Sequence, residues 1–231
     1  MTDRQPDLCV LVCSDGRRLA YRLRPGTAPT LVFLPGYASD MEGAKAVALD
    51  AFAGRIGGAM LRFDYSGTGF SSGRFEDGTL ERWLDEALDV IARLTEGPLV
   101  LIGSSMGAWI ALHLALRLPD RVRALVGIAA APDFTDWGVQ REGGGLTPAF
   151  VESGQRLLLL SQEIAIDCPV RLVHGDADRD VPLDVAARLM AQLRSADVQL
   201  NILKGGGHRL SQPREIAAIV RSVAALLEPA Q

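Results

Sequence analysis

Short apolar segments at 30–34, 59–64, 98–102, 124–129, 170–174 and 198–203 alternate with segments whose apolar residues recur every three or four positions. That alternation leaves few folds open. A run apolar at successive positions suits a strand covered on both faces, and parallel neighbours must be joined by crossovers long enough to hold a helix. Right-handed β-α-β units, and with them a mostly parallel sheet flanked by helices on both faces, follow. Ahead of these segments, 8–13 and 18–24 read as two strands joined at Ser14-Asp15-Gly16, an antiparallel hairpin that brings the expected sheet to eight strands.

The helices are expected from spacing. Leu80, Trp83, Leu84, Ala87, Leu88, Ile91 and Leu94 share one helix face, with Thr79 able to cap its start and Gly97-Pro98 to end it. Ile216, Ile219, Val220, Val223, Leu226 and Leu227 repeat the pattern, and helices also fit 41–55, 106–118 and 184–194. At 231 residues, 48% of them apolar, the chain suits a single α/β domain, 1–231, with a sizeable core. A short cap is expected at 132–167, where Gly143-Gly144-Gly145 precedes a helix starting at Thr147-Pro148 and running to about residue 160. That segment reads as a surface loop or as a small lid hinged at the glycines.

A net charge of −4 with scattered signs offers no basic stripe to nucleic acid or anionic lipid. The stretch from Leu99 to Leu118 carries only Arg117 as a charge, yet Gly103, Ser104, Ser105 and Gly107 interrupt its middle, so a buried strand followed by a helix is expected there, with no membrane insertion. The start, Met1-Thr2-Asp3-Arg4-Gln5-Pro6-Asp7, has no apolar stretch for a signal peptide and is too acidic for a transit peptide, so a cytoplasmic location is expected. Cys9 and Cys13 on one strand would sit about 13 Å apart, too far for a disulfide. With Cys168 the count is odd and no metal spacing appears, so reduced cysteines, no metal and no cofactor are expected.

The sharpest chemical signal is Gly103-Ser104-Ser105-Met106-Gly107, set between a strand pattern and a helix pattern. A turn that tight brings the residues two before and two after Ser105 almost into collision, which glycine tolerates. The pentapeptide alone says little in a chain with 24 glycines. Gly69-Phe70-Ser71-Ser72-Gly73 fits it too, but no apolar strand leads into it, and Ser71 reads as loop. A nucleophilic Ser105 needs a histidine to take its proton and a carboxylate to orient that histidine.

Of three histidines, His113 lies eight residues along the following helix, about 12 Å away. His174 ends a strand ahead of the best acids. His208, after Gly205-Gly206-Gly207 on the loop beyond the last strand, is the expected general base, since this order of nucleophile, acid and base places the histidine last. Asp176, Asp178 and Asp180 all follow the strand at 170–174; Asp178 is preferred as the acid, although alternation alone does not select it. The oxyanion donors are expected at the Met106 N–H and, in Leu34-Pro35-Gly36-Tyr37, at the Tyr37 N–H.

As an ordered set, Leu34-Pro35-Gly36-Tyr37, Phe63-Asp64-Tyr65-Ser66-Gly67, Gly103-Ser104-Ser105-Met106-Gly107, His174-Gly175-Asp176-Ala177-Asp178-Arg179-Asp180-Val181-Pro182 and Gly207-His208-Arg209 resemble the alpha/beta hydrolase superfamily over residues 30–225. Within it the wording is similar to the palmitoyl-protein thioesterase and mycophenolic acid acyl-glucuronide esterase group and its bacterial relatives. By that resemblance the His-Gly-x-x-Asp-x-x-Val-Pro pattern singles out Asp178, and hydrolysis of acyl thioesters or activated esters without a cofactor is implied. The chain departs from the group between Asp133 and Pro148, where the group carries a longer insertion. The expected partner is a small or acylated substrate. A transferase using the same acyl-serine, and a ligand receptor on the same scaffold, are the competing readings.

Overall fold

The computed structural model describes residues 5–138 and 145–227. Its eight strands are β1 (Cys9–Val12), β2 (Arg18–Arg24), β3 (Thr27–Leu34), β4 (Gly58–Phe63), β5 (Leu99–Ser104), β6 (Val122–Ile128), β7 (Val170–Gly175) and β8 (Val198–Leu203). They form one sheet in the order β1-β2-β4-β3-β5-β6-β7-β8. β2 pairs antiparallel with β1 and with β4, and every pairing among β3 to β8 is parallel, as the hairpin and the crossovers require.

The period of two sorts each central strand onto two faces. Val32, Leu34, Leu99 and Leu101 enter one apolar cluster with Trp83 and Leu84 of α2 (Leu80–Leu94) and Trp109 and Leu112 of α3 (Met106–Arg117). Leu31, Phe33, Val100 and Ile102 enter the other, with Leu49 and Ala53 of α1 (Ala44–Ile56) and Ile219 and Val223 of the last helix. β5 is therefore buried along its whole length, and the apolar stretch that follows it into α3 is the covered core of a sheet.

Several boundaries differ from the sequence expectation, two of them at helix ends for a polar reason. The first helix starts at Ala44 instead of 41: the Met41 carbonyl, which a helix from 41 would offer to the N–H four residues on, accepts from Arg62 Nη1 at 2.7 Å, and the buried Asp64 carboxylate accepts the Met41 N–H at 2.7 Å. The cap helix runs only from Pro148 to Gln155. The N–H groups of Leu159 and Leu160 are taken by the carboxylate of Asp133, which itself sits at a φ of +58°, and the Leu157 carbonyl accepts from Trp109 Nε1 and His113 Nε2. The last helix covers Pro213–Ala224, so Leu226 and Leu227 lie past its end and still pack on the second cluster.

Within 132–167 lies a short helix that the spacing did not predict, Phe134–Trp137. The longer cap helix is docked on α2: the Ser153 hydroxyl accepts the Glu81 N–H at 2.9 Å, and Arg156 pairs with Glu81 at 2.7 Å. Gly143 and Gly144 of the expected hinge lie outside the described residues; Gly145 has a φ of +58°. All three cysteines are free.

Candidate active site

The turn between β5 and α3 is built by backbone contact. A Cβ on Gly107 would stand 2.0 Å from the Leu34 carbonyl oxygen and 2.5 Å from that of Pro35, and one on Gly103 would stand 2.4 Å from the Ala108 Cα. Ser105 between them is held at φ 54°, ψ −119°, a conformation that costs on the order of 1–3 kcal/mol and has to be imposed by its surroundings. Its N–H is tied to the Ile128 carbonyl at 2.9 Å and its own carbonyl accepts from Ala108 and Ala131. Gly107→Ala is expected to cost at least about 3 kcal/mol, because the added methyl meets two backbone carbonyl oxygens, one at the end of β3 and one on the loop that follows it. A denaturant midpoint within error of the parent's would show that this turn can relax.

The three side chains singled out in the sequence meet at the carboxyl ends of the strands. His208 Nε2 lies 3.0 Å from Ser105 Oγ, and His208 Nδ1 lies 2.9 Å from Asp178 Oδ2. An ionised carboxylate only accepts, so Nδ1 carries the proton and Nε2 is free to accept from the serine hydroxyl. Asp178 Oδ1 accepts the N–H groups of Asp180 and Val181, both at 2.9 Å, and the Asp178 side chain is fully buried. Burial alone would raise its pKa, but His208 and those two N–H groups outweigh it and hold the carboxyl below the usual range.

The alternatives have other work. Asp176 pairs with Lys204 and accepts from the Gly205 N–H, while Asp180 is exposed. His174 is buried beneath the site and donates from Nε2 to the Val181 carbonyl at 3.0 Å, bracing the loop that carries Asp178. His113 serves the cap through Leu157, and burial lowers its pKa against a smaller opposing effect of that bond. Ser71 stays in a loop, where its Oγ accepts the Ala20 N–H and donates to the Asp64 carbonyl. Asp178, Asp180 and His208 present ligand atoms within 4.8 Å of one another, but the first and third already satisfy each other, which leaves one exposed carboxylate for any cation.

Met106 is the first residue of α3, so its N–H has no acceptor within the helix. Tyr37 follows Gly36 on the loop after β3, and a Cβ on Gly36 would lie 3.3 Å from the Ser105 Cβ, which puts that loop directly against the serine. The Tyr37 ring is gripped by Phe75, Trp83, Phe134 and Phe150, with centroids 5.0–6.2 Å away, and its hydroxyl donates to the Gly145 carbonyl at 3.2 Å. This aromatic cluster draws on four separate segments, and no single stretch of sequence announces it. Ser105, His208, Gly36 and Tyr37 open onto a cleft of about 590 Å³ whose other walls include Asp40, Lys45 and Arg209.

Residues 29–157 match the family model described as alpha/beta hydrolase fold. The mitochondrial palmitoyl-protein thioesterase ABHD10 of Mus musculus is 32% identical over 97% of this chain and 84% of its own length; that of Homo sapiens is 34% identical over 91% and 76%. The solved structure of mouse alpha/beta hydrolase domain-containing protein 10 superposes with a TM-score of 0.91, covering 96% of this chain and 98% of the other. A crystal structure from Agrobacterium vitis S4, 35% identical over 97% of this chain and all of that one, superposes with the same TM-score. With a family model matched over more than half its length and a relative aligned over nearly all of it, this chain belongs to the alpha/beta hydrolase fold family.

Proposed function

We propose that the chain hydrolyses carboxylic esters or acyl thioesters through an acyl-enzyme on Ser105. The observation that carries this reading is the unbroken relay from Ser105 Oγ through the His208 ring to Asp178, at 3.0 and 2.9 Å. The curated relatives that match it over most of its length are named as palmitoyl-protein thioesterases, which supports the same class of reaction.

Ser105 Oγ attacks the substrate carbonyl carbon as His208 Nε2 takes the hydroxyl proton, and Asp178 stabilises the imidazolium that results. The carbonyl oxygen, now an anion, is held by the Tyr37 and Met106 N–H groups. Collapse of the tetrahedral species breaks the C–O or C–S bond, and the departing oxygen or sulfur receives the proton from His208 Nε2. Water then attacks the acyl-serine with the same histidine as base, releasing the acid and restoring the hydroxyl. Among the described residues no helix is long and apolar enough to cross a membrane. A cytoplasmic address belongs to the proposal, against the mitochondrial one in the relatives' names.

Treatment with a fluorophosphonate and peptide mapping by mass spectrometry test the reading. Expected are a stoichiometric adduct on Ser105 and, with para-nitrophenyl esters, free acid as the product. A folded chain with no adduct at Ser105 overturns it, and acyl transfer to an added alcohol in place of water redirects it to a transferase.

A further inference from the structure

The cleft in front of Ser105 carries two cations that the reaction just described does not use. Lys45, in the first turn of α1, and Arg209, the residue after His208, both line it. Neither has a carboxylate within ion-pair distance among the described residues, where many of the other arginines are paired. Lys45 is half-buried, and its ammonium donates to the Arg209 carbonyl, a neutral partner. The charges that act on it are Glu215, which attracts, and Arg209, which repels, while Glu215 is itself committed to the Gln212 N–H at 2.9 Å. Asp40 is the one acid on the cleft wall among the described residues, and its Oδ1 accepts the Glu42 N–H at 2.8 Å. Among the described residues two cations therefore face this space against the single negative charge of Asp40, and an ammonium drawn partly out of water with no anion bonded to it is a standing cost.

We propose that Lys45 and Arg209 form a subsite for an anionic group, a carboxylate or phosphate, on the departing part of the substrate. The side follows from the chemistry proposed above, on which this inference rests. His208 Nε2 returns its proton to the leaving oxygen or sulfur, so the wall that continues from His208 into Arg209, with Lys45 bonded to it, flanks the leaving group. A guanidinium and an ammonium that line the same cleft bind an oxyanion through charge-assisted hydrogen bonds.

The test is a ratio, so that general damage cancels. kcat/KM is measured for para-acetoxybenzoate, para-acetoxyphenyl phosphate and the neutral para-acetoxybenzamide, each divided by its rate constant with hydroxide. Expected is a preference of about tenfold or more for one or both anions, shrinking as salt is raised, with the two anionic arms telling carboxylate from phosphate. In the Lys45→Met, Arg209→Gln double variant the ratio is expected to fall to about 1, whatever happens to the neutral ester. If Lys45 only fastens α1 to the His208 loop, all three substrates lose rate together and the preference persists, which overturns the proposal. A parent enzyme that hydrolyses the three equally also overturns it. Hydrolysis of none of them, together with no fluorophosphonate adduct at Ser105, is instead the failure of the hydrolase reading.

Discussion

Ser105→Ala is expected to lower kcat on a para-nitrophenyl ester by about 10⁶-fold, the scale seen when a triad serine is removed elsewhere. The substitution is clean in physical terms. Alanine keeps the Cβ, so the strained φ of 54° is neither relieved nor worsened, and the only side-chain bond lost is the one to His208 Nε2. Stability should change by no more than about 1 kcal/mol, because a single part-exposed hydrogen bond is exchanged for water. Stopped assays over hours, paired with thermal melts, check both halves. A variant that keeps its rate within tenfold of the parent removes Ser105 as the nucleophile.

Asp178→Asn is expected to cost about 10⁴ in turnover, with the site's geometry kept, as an acid-to-amide change does in a protease of this design. The reason lies in donor and acceptor counting. Asp178 accepts on both oxygens, from Asp180 and Val181 on Oδ1 and from His208 on Oδ2. An asparagine that keeps the first two bonds turns its NH₂ toward His208 Nδ1, which must then become the acceptor. The ring proton moves to Nε2 and points at Ser105, so the base can no longer receive the hydroxyl proton. The alternative rotamer sets NH₂ against two backbone N–H groups in a buried spot. Pre-steady-state acylation rates should show the full loss, and an unchanged rate would remove Asp178 from the relay.

The sheet was legible because covered strands leave a strong mark: β5 is apolar at nearly every position, and α2 shows one unbroken face with Thr79 at its start. Helix ends were less so. The start of α1 depends on Arg62, which takes the Met41 carbonyl, and the end of the Pro148–Gln155 helix on Asp133, which takes the Leu159 and Leu160 N–H groups, each a side chain distant in sequence that withdraws backbone groups from the helix. Propensity does not see such partners. At the site, Ser105 and His208 stood out through the glycines around them and the scarcity of histidine, whereas Asp178 was one of three neighbouring acids until the wider pattern selected it. Lys45 carried no mark at all, since a lysine in a helix pattern reads the same whether it faces bulk water or a cleft. The grip of four aromatic rings on Tyr37 was equally silent, because it joins segments more than 100 residues apart.

The close approach of Gly107 to the Leu34 and Pro35 carbonyls has a consequence for how such a chain can diversify. The spacing between the two loops that frame Ser105 is set by main-chain atoms meeting main-chain atoms, through a position where any side chain is excluded. Exchange of the surrounding wall residues, Lys45 and Arg209 among them, leaves that spacing untouched. Selectivity can therefore drift from one descendant to another while the mount for the Ser105 hydroxyl is inherited unaltered.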